Sequence, residues 1–291
     1  MPDIANVDTA TTGAVFIPEI WSELVLEFRK KRLQAANFFE RRDMEVMNFG
    51  DTIHFPKDTE YTVVDYTEGN RLTSSLAANT EGEITLTVDQ YKVRPFLVSD
   101  KLSTQSKYDK KALNFRNAGY AIAKAIDSAI FARSSEFTNA AINAAGTAVI
   151  PADLTEAQVT LDDLDVPEGE ERGWFLSPAT IKDLMDNSGN YFTSLDFSQT
   201  QSLVYGQLHY LLLGSPVYKS TNLPTGTTGS PATTYRKNIY AHKEAIGVAM
   251  QIAPEVQEEY EIDLQGTLCN VRALYGTVCL RPESGVIING R

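Results

Sequence analysis

The sequence has few of the residues on which metal sites, disulfides and membrane spans depend. Its 291 residues include two cysteines, Cys269 and Cys279, and three histidines, without Cys-x-x-Cys or His-x-x-His spacing. It has no run of about eighteen uncharged apolar residues, and residues 1–6 show neither the basic nor the apolar region of a secretory signal. These absences favour a globular chain made in a cytosol, with buried free thiols and no membrane span.

The motifs that an enzyme of this size would be expected to carry are also missing. There is no Gly-rich phosphate loop, no Gly-x-Ser-x-Gly and no His-Glu-x-x-His. His54, His209 and His242 have no Cys, Ser or second His at a useful spacing. Two acidic clusters, within residues 162–171 and 255–263, are more typical of solvated or salt-bridging surfaces than of metal sites. We therefore expect no enzyme activity and no catalytic, cofactor or metal site.

The balance of charge is acidic, with one basic exception. A net charge of -12 argues against a protein that binds nucleic acid by neutralising phosphates. Arg29, Lys30, Lys31 and Arg32 nevertheless form four consecutive cations. Such a run is a solvated helix face or a docking site for an acidic neighbour, with direct nucleic-acid contact as the lesser alternative. The overall charge therefore does not favour a chain whose main role is to bind nucleic acid.

Two helices are predicted in the first half of the chain. Apolar residues recur at helical spacing from Pro18 to about Ala36, after a polar arm of about fourteen residues. A much longer stripe runs through residues 108–134, including Phe115, Ile122, Ile126 and Ile130. At 1.5 Å per residue this second helix would be roughly 40 Å long, so it predicts a spine for the fold. Asp127 is expected on its polar side.

Between these helices, residues 49–98 predict an extended ribbon with one apolar face. The arms are residues 52–55 continued by 61–66, and residues 83–88, in which Ile84, Leu86 and Val88 alternate with polar residues. The alternation changes parity between Val88 and Tyr91, which predicts a bulge or hinge there. A two-stranded ribbon is marginal by itself, so its apolar face must lie on the chain's own core or on another subunit. We expect another subunit.

The second half of the chain alternates strand and helix patterns and ends in a hairpin. A capping box at Thr155 predicts a helix, and a buried strand runs directly into Ser177-Pro178, which predicts an N-cap and first turn. Further predictions are a strand at 239–241, a short helix at 242–251, strands at 255–264 and 267–280 joined by Gln265-Gly266, and a change of parity at Gly276.

The order of these segments resembles the major capsid proteins of tailed bacteriophages, whose fold also occurs in herpesvirus capsid floors and encapsulin shells. Arm, ribbon and spine helix come first, and the segments that carry the rest of the resemblance are residues 172–185, 213–218, 222–224 and 273–283. It covers nearly the whole chain. The implied fold class is α+β: a tailed-phage major capsid fold with N-terminal arm, extended β-hairpin loop, peripheral domain with a long spine helix, and axial α/β domain.

The resemblance also implies domain limits. These are 1–48 for the arm and first helix, 49–100 for the ribbon, 101–150 with 252–284 for the peripheral domain, 151–251 for the axial domain, and 285–291 for a terminal strand. In that scheme the ribbon lies over an adjacent subunit. The expected intersubunit contacts are Tyr66, Arg71, Leu72, Ile84, Leu86 and Val88 of the ribbon, with Arg29, Lys30, Lys31 and Arg32 of the arm.

The function implied by the resemblance is that of the major coat protein of an icosahedral phage head. Such a shell would enclose packaged double-stranded DNA without sequence-specific binding and without a membrane. Its partners would be copies of itself in pentamers and hexamers, a portal, and possible separate scaffolding or decoration proteins, in a virion assembled in the host cytoplasm. An encapsulin-like compartment around an enzyme cargo is the nearest alternative. A tail-associated adhesin or other binding protein is a third.

Overall fold

The computed structural model describes residues 30, 33–43, 50–58, 63, 65, 68–69, 82–106, 109–169, 171–187, 211–228 and 233–291. The chain divides into two units, Met1–Lys30 and Lys31–Arg291. Of the first unit only Lys30 is described, and it is exposed. The elements of the second unit described below are, in chain order, α1 Ala35–Phe38, β1 Glu40–Arg41, β2 Thr52–Lys57, β3 Gly82–Thr87, β4 Gln90–Ser99, α2 Asp100–Gln105, α3 Lys110–Ala132, α4 Pro151–Asp162, β5 Arg172–Leu176, α5 Pro178–Asn187, β6 Leu211–Leu212, β7 Ser215–Lys219, β8 Thr225–Thr228, β9 Thr233–His242, β10 Ile246–Glu261, β11 Gly266–Cys279 and β12 Gly285–Gly290.

The first sheet has the strand order β1-β10-β11-β4 and carries the long helix α3. β1 runs parallel to β10, and the other pairs are antiparallel. The apolar stripe of α3 faces this sheet: Ile122, Ile126 and Ile130 are buried in one core with Tyr275 of β11. The periodicity of the sequence therefore predicted both the helix and its buried face.

Both ends of α3 are fixed by short polar contacts. The Asp109 carboxylate accepts a hydrogen bond from the backbone N–H of Ala112 at 3.0 Å, which satisfies one of the free donors of the first turn. After Ala132 the chain tightens into a 3-10 turn, Arg133–Glu136. There the Arg133 guanidinium donates to the Thr277 hydroxyl of β11 at 3.1 Å and so ties the helix end to the sheet.

The second sheet has the order β12-β9-β5-β7-β6, with β8 paired to β9. Its strand β5 is buried along its whole length, and Trp174 stacks on Tyr240 with ring centroids 3.7 Å apart. The chain passes from β5 directly into α5. The Ser177 hydroxyl accepts the backbone N–H of Thr180 at 3.1 Å, so the predicted N-cap is confirmed.

The helix predicted at residues 242–251 is wrong. After a 3-10 turn at Lys243–Ala245 the chain enters β10, which continues for 16 residues to Glu261. Ile246 and Val248 face the core beneath α3, and Ala249 faces the ribbon, so both faces of the strand are covered. A strand buried on both sides loses the alternation by which strands are recognised in a sequence.

The change of parity predicted at Gly276 is also wrong. Odd-numbered residues of β11 from Val271 to Cys279 are buried throughout, and the ladder with β10 runs continuously past Gly276. The irregularities lie in β10, between Met250 and Ile252 and between Ile252 and Glu255. Apolar residues on the other face of β11 arise because this end of the sheet is covered on both sides.

In the second half of the chain, the hairpin turn lies where it was predicted, whereas the helix predicted from Thr155 begins earlier. Helix α4 begins at Pro151, four residues before the capping box expected at Thr155, because the Asp153 carboxylate accepts the backbone N–H of Ile150 at 2.9 Å and Pro151 has a helical φ. The hairpin turn at Gln265-Gly266 is present, with Gln265 at φ 45° and its N–H donated to the Ile262 carbonyl.

The two sheets take strands from several parts of the chain. The boundary expected between residues 251 and 252 falls inside β10, which belongs to the first sheet from Ile246 onward. The terminal strand β12 pairs with β9 and so completes the second sheet. Assignment of the sheets to peripheral and axial domains of a shell remains a prediction.

Candidate intersubunit contact surface

The ribbon has the two-faced construction that its alternation predicts. β2 and β3 pair antiparallel with Ile53 opposite Leu86 and Phe55 opposite Ile84, which places these four apolar side chains on one face. The other face is polar, with His54 opposite Thr85 at its centre. The ribbon can therefore bury one side and leave the other in water.

The base of the ribbon lies on the chain's own sheet. Leu86 is 0% exposed and Val88 7%, in a cluster with Ala249 of β10 and with Leu274 and Val278 of β11. This corrects the expectation that Leu86 and Val88 contact another subunit, because a side chain with almost no free surface has none to share. The apolar face of the ribbon could lie on the chain's own core or on another subunit, and at its base it lies on the chain's own core.

Gly276 allows the ribbon to approach the sheet this closely. A Cβ atom at this position would lie 2.3 Å from the Thr87 backbone oxygen and 3.0 Å from a Leu86 methyl group. The hinge predicted between Val88 and Tyr91 lies beside this contact, where β3 ends at Thr87 and β4 begins at Gln90. The Val88 N–H is donated to the Asp51 carbonyl at 2.8 Å, which closes the base of the ribbon.

Ile84, one residue pair further out, is only partly covered. It lines an open cleft of about 440 Å³ with Phe55 and Lys57 of β2, and Arg281 lies across the cleft. An ion pair joins Lys57 of the ribbon to Glu283 at 3.9 Å, and Arg281 pairs with Glu244 at 3.4 Å. Further out still, Val63 is 98% exposed. Among the described apolar residues Leu86, Ile84 and Val63, exposure thus increases away from the base of the ribbon.

The other expected contacts fall largely outside the described residues. This applies to Tyr66, Arg71 and Leu72 of the ribbon and to Arg29, Lys31 and Arg32 of the arm. Lys30 is described and exposed.

A buried carboxylate that the sequence did not single out joins three parts of the chain. Asp127 is 1% exposed, although it was expected on the polar side of α3. Its Oδ1 accepts the backbone N–H groups of Gln34 at 3.1 Å and Ala35 at 2.8 Å, at the start of α1. Its Oδ2 accepts the Asn222 side-chain amide at 3.0 Å, and that amide also donates to the Ser128 hydroxyl at 2.8 Å.

The passage between the two sheets carries a second polar cluster. The buried His242 ring lies with Nε2 3.3 Å from the Glu171 carboxylate, and its Nδ1 accepts the Glu244 backbone N–H at 3.2 Å. Glu171 also pairs with Lys243. The hydrogen bonds from Lys243 and His242 lower the pKa of Glu171 below its usual 4.5, and the same contact raises the pKa of Lys243. This cluster lies at the end of β9, where the chain passes from the second sheet to the first.

The two cysteines are buried and free. Burial raises the pKa of Cys279 to about 12 and also raises that of Cys269, so both are neutral free thiols. Among the described residues there is no group of three His, Cys, Asp or Glu that could hold a metal ion. In the same part of the chain, no helix combines the length and apolar character needed to cross a bilayer.

The structure matches solved chains of several phage particles. The structure matches a chain of Mycobacterium phage Che8 with a TM-score of 0.76 and 23% identity, over 94% of this chain and 97% of that one. It matches a chain of the capsid of cyanophage P-SCSP1u with a TM-score of 0.76 and 19% identity, over 99% and 96%. A chain of the cyanophage Pam1 capsid matches with a TM-score of 0.75 and 10% identity, over 99% of both. The fold is therefore a capsid-shell fold of the α+β class.

The sequence itself matches the model of the phage capsid protein family over residues 50–290. No curated protein matches it. The chain therefore belongs to the phage capsid protein family, and its resemblance to the major capsid proteins of tailed phages is confirmed. These matches do not favour an encapsulin-like compartment or an adhesin.

Proposed function

We propose that copies of this chain assemble, as pentamers and hexamers, into the icosahedral head of a tailed phage around packaged double-stranded DNA. The role is structural and not catalytic. The expected partners are other copies of the chain, a portal, and separate scaffolding or decoration proteins. Assembly takes place in the host cytoplasm, and the chain then remains in the virion.

The observation that carries this proposal is the graded burial of the ribbon. Leu86 at the base is fully covered by the chain itself, Ile84 is half-buried above an open cleft, and Val63 is 98% exposed. Exposed apolar surface costs free energy in water unless another surface covers it. A neighbouring copy would supply that cover, while the anchored base fixes the direction in which the ribbon leaves the body.

Charge is consistent with a container that does not grip its contents. A net charge of -12 would leave packaged DNA without general electrostatic attraction to the chain. Weak contacts spread over many copies would allow misplaced subunits to dissociate during assembly, and their sum would make the closed shell durable. The acidic net charge thus suits a shell subunit better than a protein that binds nucleic acid.

Deletion of the outer ribbon tests the proposal. Removal of residues 67–81 is expected to leave the subunit folded, because Leu86, Val88 and Ala249 still form the base cluster. Shells should be lost, because the part of the ribbon that reaches a neighbour is gone. Circular dichroism would report folding, and electron microscopy would report shells.

A point variant separates loss of contact from loss of chain length. Val63→Asp is expected to reduce the yield of shells, while Thr85→Asp, on the exposed polar face of the same ribbon, serves as the matched control. Normal shells from the deletion variant would contradict the role of the ribbon.

A further inference from the structure

The first sheet has two long edges that no described strand covers. β1 pairs with β10 at Gly247 and Val248, and no described strand pairs with the outer edge of β10 from Ile252 to Glu261. On the opposite side of the sheet, β4 pairs with β11 and has no described strand beyond it. Open edges attract other chains, and natural proteins protect or use them.

The β10 edge, with the turn that follows it, is acidic and partly apolar. We call this surface the acidic edge; its charged residues are Glu255, Glu258, Glu259, Glu261 and Asp263. Large apolar side chains stand among them, with Tyr260 51%, Ile262 69% and Leu264 55% exposed. The apolar groups would be poorly placed on a surface that served only to face water.

The β4 edge, with the start of α2, is basic and also partly apolar. We call it the basic edge; its cations are Lys92, Arg94 and Lys101, all exposed. Tyr91 is 51%, Val93 47% and Leu97 39% exposed, and these side chains lie on the face of β4 opposite to Lys92 and Arg94. The two edges therefore have the same mixture of apolar and charged groups, with opposite signs of charge.

Most of these charges find no ion pair within the described part of the subunit. Glu255 pairs with Arg272, and Glu258 with Lys111 at 2.7 Å. Glu259, Glu261 and Asp263 form no ion pair with another described residue, and the same holds for Lys92, Arg94 and Lys101. Among the described residues, Glu259 and Glu261 thus remain without an ion pair on one edge of the sheet, and Lys92 and Arg94 on the other. Asp263 and Lys101 lie at the same end of the sheet, where the Asp100 N–H is donated to the Gln265 carbonyl.

Protection of the edges against aggregation does not explain the signs. Charges of one sign on both edges would make copies repel and would keep the edges apart. Opposite signs make the edge of one copy attract the other edge of a second copy. Pro95 lies in the middle of β4 and removes a backbone donor, so contact at this edge would use side chains more than a continued strand ladder.

We propose that the acidic edge of one copy packs against the basic edge of the next. This inference rests on the proposed function, because it assumes that copies of the chain assemble with one another. Two different surfaces meet in such a contact, so it is heterologous, and repeated contacts of this kind close into a ring if the rotation between copies permits. The exposed apolar groups supply buried area, and the charges fix orientation and pairing.

Crosslinking without a spacer tests the contact in assembled protein. A carbodiimide joins a carboxylate directly to an amine, and the expected product joins Lys92 to Glu259 or Glu261. Within one copy Lys92 and Glu259 lie two strand spacings and five β11 positions apart, roughly 20 Å, too far for a direct bond. Mixed ¹⁴N- and ¹⁵N-labelled copies would give crosslinked peptides of hybrid mass. Crosslinked shells without any product between these edges would overturn the proposal.

Charge reversal with rescue gives an independent test. Glu259→Lys with Glu261→Lys, or Lys92→Glu with Arg94→Glu, is expected to lower shell yield by about tenfold or more. All four changes together should restore assembly, because the complementarity is reversed and not lost. The matched control for the acidic-edge variant is Glu156→Lys with Glu168→Lys, which raises the net charge equally at exposed sites away from both edges.

The outcomes distinguish this inference from the proposed function. Failure of the unaltered chain to assemble under any condition would count against the proposed function. Assembly by the unaltered chain and equally by each edge variant would overturn only the edge contact. Failure of the fourfold variant to recover, or an equal loss in the control, would likewise contradict pairing between these edges.

Discussion

Asp127 shows how much of the fold depends on a single side chain. Its carboxylate accepts two backbone N–H groups at the start of α1 and the side-chain amide of Asn222. Helix α3, the start of α1 and the loop that contains Asn222 therefore meet at one residue. The sequence could not reveal this role. Asp127 follows Ile126 on the helix, at the border of the apolar stripe, and its partners come from positions more than 90 residues away.

Replacement of Asp127 by alanine is expected to lower the free energy of unfolding by about 3 kcal/mol, because buried N–H groups would lose their acceptor. Asp127→Asn should cost less, since one carbonyl oxygen remains. Lys124→Ala, one turn earlier on the same helix, is the control and should change stability by less than about 0.5 kcal/mol. Denaturant unfolding of the unassembled subunit measures all three. Equal stability of Asp127→Ala and the control would refute this role.

At the scale of elements, the periodicity of apolar residues predicted the helix and strand that have one buried face, and it failed for the strand that is buried on both faces. The stripe of α3 and the alternation of β3 were recognised because each leaves one side in water. β10 was mistaken for a helix at its start because residues 246–249 are all buried. The cover for Leu86 was assigned to another subunit because Ala249, Leu274 and Val278 are remote in sequence from the ribbon.

The seating of the ribbon on β11 gives a prediction for this scale. Gly276→Ala would place a methyl group against the Thr87 carbonyl, and we expect a loss of about 1–3 kcal/mol with a displaced ribbon base. Hydrogen exchange of residues 82–88 should become faster. Gly119→Ala is the matched control, because nothing lies within 4 Å of its added methyl group in α3, and it should stabilise by about 0.5–1 kcal/mol. Unchanged exchange in Gly276→Ala would contradict the close approach.

At the scale of the whole molecule, order along the chain was more informative than any single motif. Arm, ribbon, spine helix and the strand that runs into Ser177-Pro178 are weak signals separately, yet their sequence was enough to suggest the capsid fold that the structural matches bear out. The limits of the two sheets were less predictable, because β1, β4 and β12 join sheets whose other strands lie far away in the chain. Contacts between copies remain predictions that depend on assembly.

Electron microscopy of the chain, expressed alone and with its genomic neighbours, tests the central claim most directly. The account predicts closed shells of regular diameter built from many copies. Monomers or small discrete oligomers under all conditions, with the outer ribbon folded back on its own subunit, would contradict it.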